Sequence, residues 1–484
     1  MSFQDSDFVT PTTFIESLES SAFTEFLKTV NEAPYPLLSI TLPIAGIDPL
    51  AALELNPDYQ EQFYWSHPED SISISAAGKV MELKATGSSR FKDISEQTLA
   101  LKEKIQAYTA IEHSMAGPLF LGGYSFNHHN IGEVWKKFGA ARFVLPEWML
   151  VEIGNLHLLT LTIKKNERTA DQIYQEVISR ITDFLNLAGH LNHTEQKFPA
   201  KPNILCTLQK AEDRERWIKN VHRAKQLIAD GKFEKIVIAR SSVLKSRHKP
   251  EPTFLAHHLR EKYPACYNFL IQKDHDTSFI GATPERLASF NNGTILTEGL
   301  AGSISRGRSA MEDASLAHTL MKSRKDRDEH QYVVQAIDSS LKPFSNRINR
   351  PKQPRIKKLQ NVQHLFTPIS ASIKEGVQIH ELIQELHPTP AVGGYPKETA
   401  VPYIQEIEQI ERGWYSAPIG WFNLNGCGEF AVAIRSALLH KNSAELFAGC
   451  GIVADSDPEK EWDETLLKFT PLLDALNQLE DYAE

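Results

Sequence analysis

The sequence predicts an α+β (mixed α/β) enzyme fold, on three observations. Strand-like runs such as FEKIVIARSSVL at residues 233–244 are apolar on both faces. The tripeptide Asn291-Asn292-Gly293, between ERLASF and TILTEGL, is a hairpin turn signal. Long amphipathic stretches follow the hairpins instead of alternating one for one with strands, which argues against a strict βαβ plan.

Size and composition agree with a globular enzyme. At roughly 150 residues per domain, 484 residues allow two to four domains and a large core. Hydrophobic residues make up 41%, charged residues 23%, with 25 Gly and 26 Pro, so the chain is neither disordered nor fibrous. A net charge of -9 argues against a dedicated binder of nucleic acid or anionic membrane; an anionic substrate would need a local cation or a metal. Cys206, Cys266, Cys427 and Cys450 contain no CxxC pair, which excludes a zinc site or disulfide framework and suggests a reducing cytoplasm. The first twenty residues carry acids where a secretion signal needs a basic start and an apolar run, and no segment approaches the ~18 apolar residues of a membrane span.

The elements follow in order. PLFLGGYSF (118–126) and NLHLLTLTI (155–163) read as strands in a first part without obvious chemistry. Adjacent His128 and His129 point to different faces of any regular element, so they read as turn or surface residues. Residues 189–203 turn polar and gain two prolines, marking a linker or subdomain boundary. Residues 211–230 place Trp217, Val221, Ala224, Leu227 and Ile228 on one stripe and stop at Gly231, as an amphipathic helix does. Residues 342–358 hold seven basic residues, three prolines and no acid; a solvated loop fits better than a nucleic-acid patch.

Three local signals carry chemistry. Lys235 lies in FEKIVIAR on the face of Phe233, Val237 and Ala239, with Ile236 and Ile238 on the other, so it is a buried general-base candidate, or else a lysine snorkelling at a strand end. Asp326, Glu329 and Val333 share one helical face. In SDPEKEWDETLLK, Ser456 and Glu459 have capping-box spacing, and Glu461, Glu464 and Lys468 share a face. Two carboxylates from each helix suit Mg2+ if the helices meet, and are solvated faces if they do not. LAGS (300–303), AVGGYP (391–396) and FAGCGIV (447–453) are glycine-rich; they are either turns or places of close backbone approach, with Gly449-Cys450-Gly451 just ahead of the last helix, where an anion is favoured. None matches a nucleotide fingerprint. Arg435, in the strand-like EFAVAIRSALL, would pair naturally with a carboxylate.

In order, FEKIVIAR, GATPERL, TEGLAGS, KDRDEHQYVV, HPTPAVGG, RGWYSAPIGW, GEFAVAIRSALL and FAGCGIVADSDPEKEWDETLLK resemble the chorismate-binding enzymes over about residues 205–480. That family includes isochorismate, salicylate, anthranilate and aminodeoxychorismate synthases. The resemblance implies a chorismate-utilising fold of large antiparallel β-sheets packed in a sandwich with flanking helices. Residues 1–200 would be a divergent part of the same body and 205–484 the catalytic region. It implies that Glu329 and Glu464, supported by Asp326 and Glu461, hold Mg2+, which in turn holds the ring carboxylate of chorismate. Arg435 and Tyr415, with amides near Gly449, would bind the enolpyruvyl carboxylate; Lys468 would lie beside the metal-bound end, Gly302 against the ring, and His364 close to the substrate.

The same resemblance selects a branch. Members that add ammonia lack a lysine at the position of Lys235 and carry one where this chain has Leu300-Ala301-Gly302-Ser303. Here the pattern is that of water-adding members, with Lys235 as base for water attacking C2 and Glu285 as acid for the hydroxyl leaving C4. Two departures are Ser416-Ala417, where many members have Ala-Gly, and Cys450 for a common alanine. The alternatives are a salicylate synthase, a siderophore-pathway isochorismate synthase in place of a menaquinone one, and an inactive chorismate-binding subunit. The expected state is a cytoplasmic monomer or weak homodimer with chorismate as its ligand.

Overall fold

The structure is a computed structural model and describes residues 20–32, 35–44, 46–55, 58–128, 132–189, 211–360 and 362–478. Its strands form two large sheets. The first has twelve strands in the spatial order Gly394–Tyr395, Lys235–Lys245, Ser443–Ile452, Ser436–His440, Thr277–Thr283, Tyr267–Asp274, Gln62–His67, Ile72–Ala77, Trp148–Ile153, Leu156–Lys164, Leu37–Pro43 and Ile105–Thr109. The second has ten. Its main path runs Ser345–Asn349, Val362–Ile373, Thr294–Ser305, Arg286–Asn291, Gly428–Val432, Pro418–Asn423, Leu119–Tyr124, Ala141–Leu145 and Met81–Ala85, with Arg355–Lys358 also pairing on Val362–Ile373. Among the described residues only Leu37–Pro43 and Ile105–Thr109 pair in parallel. Each sheet takes strands from both sides of residue 200.

The sheets face each other across one apolar layer. Trp65, Phe269 and Phe279 of the first meet Leu121, Ile419 and Trp421 of the second there, all buried. Removing such surface from water contributes about 25 cal/mol per Å2, which is why strands apolar on both faces are stable only inside a sandwich. Helices cover the outer faces. Pro252–Lys262 and Pro458–Gln478 lie on the first sheet, and Arg90–Leu101, Arg324–Leu341 and Ile379–Leu386 on the second.

Local signals hold with some corrections. The helix Ala211–Ala229 buries Trp217, Val221, Ala224 and Leu227 and ends before Gly231, whose φ is 72°. The hairpin at 291–294 takes positive φ at Asn292 and Gly293, the conformation those residues tolerate. Residues 342–358 are not simply a loop: Ser345–Asn349 and Arg355–Lys358 are short strands on Val362–Ile373. Their charge is partly spent locally, since Arg350 pairs with Asp338, Lys357 with Glu298 and Lys358 with Asp313. Asp457, not Ser456, caps the last helix, because its carboxylate accepts from the amides of Glu459 (2.9 Å) and Lys460 (3.2 Å). The Ser456 hydroxyl instead accepts from the Val453 amide. His129 and residues 190–203 of the expected linker lie outside the described residues, while His128 is half-buried in a bend. Cys266, Cys427 and Cys450 are buried free thiols.

Candidate active site

The chain passes between the two sheets at two neighbouring places. Thr277–Thr283 in the first sheet continues as Arg286–Asn291 in the second, with Glu285 in the crossing. Gly428–Val432 in the second continues as Ser436–His440 in the first, with Arg435 in that crossing. The crossings are bonded to each other. The Thr283 hydroxyl donates to the Val432 carbonyl (2.6 Å), the Val432 amide to the Glu285 carbonyl (3.0 Å) and the Ala282 amide to the Arg435 carbonyl (3.1 Å). Arg435 therefore does not sit in a continuous strand. Its φ of 51° turns the chain from one sheet to the other, a conformation that costs a non-glycine residue about 1–3 kcal/mol.

A cavity of about 280 Å3 opens where these crossings meet the helices Arg324–Leu341 and Pro458–Gln478. Of the residues singled out in the sequence, Glu285, Gly302, Asp326, Glu329, His364, Tyr415, Arg435, Gly449, Glu461, Glu464 and Lys468 all line it. Lys235 stands just behind the wall. It is 1% exposed, and its Nζ lies 2.7 Å from Oε1 of Glu329, which does face the cavity. A Cβ added at Gly451 would meet Lys235 Cε at 2.7 Å and Glu329 Oε1 at 2.9 Å, so glycine there is what lets this pair approach the sheet.

Carboxylates crowd one end. Ser323 caps the first helix by accepting from the Asp326 amide (3.3 Å), which sets Asp326 and Glu329 on its cavity face. Glu461 and Glu464 come from the second helix, and Lys325 bridges the two by lying 3.6 Å from Glu461. Each of three acids has a lysine: Lys235 on Glu329, Lys325 on Glu461, and Lys468 on Glu464 at 2.6 Å. Burial, then the charges of Glu329 and Glu464, raise the Asp326 carboxyl; burial, then Glu464, raise Glu461. Burial acts to raise Glu464 too, but Lys468, together with Arg435 and Lys325, outweighs it and holds that carboxyl low. Oxygen donors compressed against mutual repulsion fit a hard divalent cation, which would relieve it. Oxygens of Glu461 and Glu464 and the Cys450 sulfur lie within 4.8 Å of one another; Asp326 and Glu329 face the same space but stand outside that cluster.

The remaining walls carry one acid and several donors. Glu285 is 5% exposed; burial first, then the charge of Glu298, raise its carboxyl to about 7. Thr389 donates to it at 3.4 Å. Gly302 is the extra residue of a bulge in Thr294–Ser305, with φ of 75°, and its missing side chain leaves Asp326 Cβ 3.1 Å from where a Cβ would stand. The His364 Nδ1 bonds to the Ser303 hydroxyl (2.9 Å), while its buried Nε2 has no partner among the described residues. Burial, then Arg435, lower His364 to about 3, so the ring is neutral. Tyr415 stacks on Phe447, and burial pushes its hydroxyl up to about 12.

One further expectation needs correction. Gly449 is not at a helix N-terminus: it lies inside the strand Ser443–Ile452 opposite Ala239, because the apolar run continues to Ile452 before the chain leaves the sheet. Its carbonyl accepts from Lys468 Nζ (2.8 Å), and a Cβ there would stand 3.2 Å from Tyr415 Oη. Arg435 has no carboxylate hydrogen-bonded to its guanidinium among the described residues, so it faces the cavity as a free cation. We expect Arg435→Met to raise the KM for an anionic substrate about 10- to 100-fold with a smaller effect on kcat, read from initial rates.

Arg412 and Thr389 were not singled out in the sequence, where Ser416 and Ser303 were named only as motif positions. Arg412 is buried and bonds Glu408, the Ser416 hydroxyl (3.1 Å) and the carbonyls of Val392 (2.8 Å) and Val237 (2.9 Å). It thus ties the strand of Lys235 to the cavity wall. The spacing of Glu408 and Arg412 was a weak hint, but an ordinary surface ion pair looks the same in sequence. Arg412→Ala strands the Glu408 carboxylate in the core and should cost about 3–5 kcal/mol, measured by chemical denaturation.

Comparison with known proteins agrees with this arrangement. A family model described as chorismate binding enzyme matches residues 24–477. Isochorismate synthase MenF of Bacillus subtilis is 34% identical over 93% of this chain and 95% of its own length. The salicylate biosynthesis isochorismate synthase of Pseudomonas aeruginosa is 36% identical over 92% and 90%. Among solved structures, MenF, the menaquinone-specific isochorismate synthase from Escherichia coli, superposes with a TM-score of 0.75 at 25% identity, covering 96% of this chain and 100% of that one. The match over nearly the whole length, with both sheets and the cavity included, establishes that the chain belongs to the chorismate binding enzyme family.

Proposed function

We propose that the chain is an isochorismate synthase, an isomerase that converts chorismate reversibly to isochorismate with Mg2+ bound. The observation that carries this reading is a cavity bordered by one buried carboxylic acid, Glu285, raised to about 7 by burial and Glu298, and one buried amine, Lys235, with the free Arg435 between the sheets. Water attacks C2 as Lys235 takes its proton, and Glu285 gives a proton to the hydroxyl leaving C4. Arg435 and Tyr415 hold the enolpyruvyl carboxylate, and His364 Nε2 offers its hydrogen-bonding atom to the substrate. Leu300-Ala301-Gly302-Ser303 leaves room at the ring where ammonia-adding relatives would place a lysine.

Mg2+, held by Glu329 and Glu464 with support from Asp326 and Glu461, would supply the charge that fixes the ring carboxylate at that end. Purified protein with chorismate and Mg2+ should yield isochorismate by chromatography. A chelator should reduce turnover to background, with restoration by Mg2+, and Glu464→Gln should raise the Mg2+ concentration required. Salicylate with pyruvate as the only products would instead identify the salicylate synthase reading.

The pathway reading is menaquinone biosynthesis, supported by full-length similarity to two MenF proteins; the Pseudomonas relative is named for salicylate biosynthesis, so neighbouring genes decide between them. The working state is a cytoplasmic monomer or weak homodimer. No helix among the described residues is long and apolar enough to cross a membrane.

A further inference from the structure

The crossing that carries Glu285 is gripped on both flanks by two charged residues, neither of which lines the catalytic cavity. Glu298, in the strand Thr294–Ser305, accepts on Oε1 from the backbone amide of Arg286 (3.1 Å), the residue after Glu285. Lys357, in the short strand Arg355–Lys358, donates to the carbonyl of Pro284 (3.2 Å), the residue before it. The two then close on each other, Lys357 Nζ to Glu298 Oε1 at 3.2 Å, and Lys357 lies over the Phe366 ring (5.2 Å). The Glu285 amide donates to the Thr283 hydroxyl (3.3 Å), and its carbonyl accepts from the Val432 amide (3.0 Å). Every backbone polar group from the Pro284 carbonyl to the Arg286 amide is therefore held.

Glu298 is 8% exposed. The fold alone does not call for an ion pair here, because an apolar pair of similar volume is often at least as stable as two desolvated charges. What only the charged pair does is place an anion beside Glu285. Burial raises the Glu285 carboxyl most and Glu298 next, whereas the Thr389 hydroxyl, Lys235 and Arg435 act to lower it. Other charges nearby are engaged elsewhere. Arg286 turns its guanidinium to Tyr267 (2.6 Å) and Glu429 (3.0 Å), and Glu329, across the cavity, is bonded to Lys235 (2.7 Å).

We propose that Glu298, clamped by Lys357, is a positioning residue for the acid step: it fixes the backbone that aims Glu285 and is the anion that keeps the proton on Glu285 until the C4 hydroxyl leaves. This rests on the assignment of Glu285 as the acid. It also gives Lys357, from the basic stretch at 342–358, a task beyond solvation.

The test follows kcat at saturating chorismate with Mg2+ along the descending limb near pH 7. Glu298→Gln keeps the shape and can still accept from the Arg286 amide and Lys357, but it removes the negative charge. A carboxyl relieved of a neighbouring anion loses its proton at lower pH, so the limb should move down by about 0.5–1 pH unit, lowering kcat about 3- to 10-fold on its alkaline side. On the acid side kcat should stay near that of the unaltered protein, with KM little changed. Lys357→Met should move the limb the opposite way, to higher pH, since the anion beside Glu285 loses its counter-charge. A purely structural clamp predicts that both variants lose stability and rate alike at every pH, with the limb in place. If Glu298→Gln does not fold, the sign of the Lys357→Met displacement still decides. Limbs that coincide with that of the unaltered protein, or that both move in one direction, overturn this inference and leave isochorismate formation standing. No isochorismate from the unaltered protein overturns the role of Glu285 and this inference with it.

Discussion

Lys235→Ala lowers kcat by about 10²–10⁴-fold, the range expected when a positioned general base is removed, with a much smaller change in KM. The argument rests on how the lysine is held. Both faces of its strand are apolar, and its amine is buried with Glu329 as its hydrogen-bonded partner. Removing it leaves a void and frees Glu329, so some stability is lost as well; Lys235→Met, which keeps most of the volume, separates the two effects. A catalytic role predicts that Lys235→Met is as slow as the alanine variant while melting near the unaltered protein, and that small primary amines restore part of the rate. A purely structural role predicts that rate follows stability and that amines do nothing.

Glu285→Gln is the second large effect, again about 10²–10⁴-fold in kcat. The amide fills the same space and can still accept from Thr389, but it cannot give up a proton as the C4 hydroxyl leaves. The pH dependence follows from the direction of the shift. Burial and Glu298 raise the Glu285 carboxyl to about 7, so the acid form is present below that value and is lost as pH rises through it. The rate of the forward reaction should therefore fall above about pH 7. Glu285→Gln should lose that limb along with most of the rate, whereas Arg435→Met should be slower at low substrate concentration but keep the limb.

Much of this site can be seen in the sequence because its signals are local. Alternation in FEKIVIAR is enough to bury Lys235, and i, i+3 spacing puts Asp326 with Glu329 and Glu461 with Glu464. What joins those signals is not local. Lys235 and Glu329 are 94 positions apart, and no spacing rule reports a contact at that separation. Resemblance to a family supplied the juxtaposition that periodicity could not.

The misplaced residues have physical reasons. EFAVAIRSALL reads as one strand because nothing in an arginine announces a positive φ, yet that backbone turn is what moves the chain between sheets and points Arg435 at the cavity. FAGCGIV reads as either a turn or a place of close backbone approach ahead of the last helix; here its glycines thin a strand so that Tyr415, Lys235 and Glu329 can approach it. Ser456 has capping-box spacing, but Asp457, one residue nearer the helix, outcompetes it with a charged acceptor. Arg412 went unnoticed because burial of an ion pair is decided by the elements packed around it.

The central claim is addition of water at C2, and it is tested most directly by running the reaction in 18O-labelled water with chorismate and Mg2+. Isochorismate should form carrying one 18O, located in the C2 hydroxyl by mass spectrometry. Unlabelled isochorismate, an aminated product when ammonia is supplied, or no product at all would contradict the account.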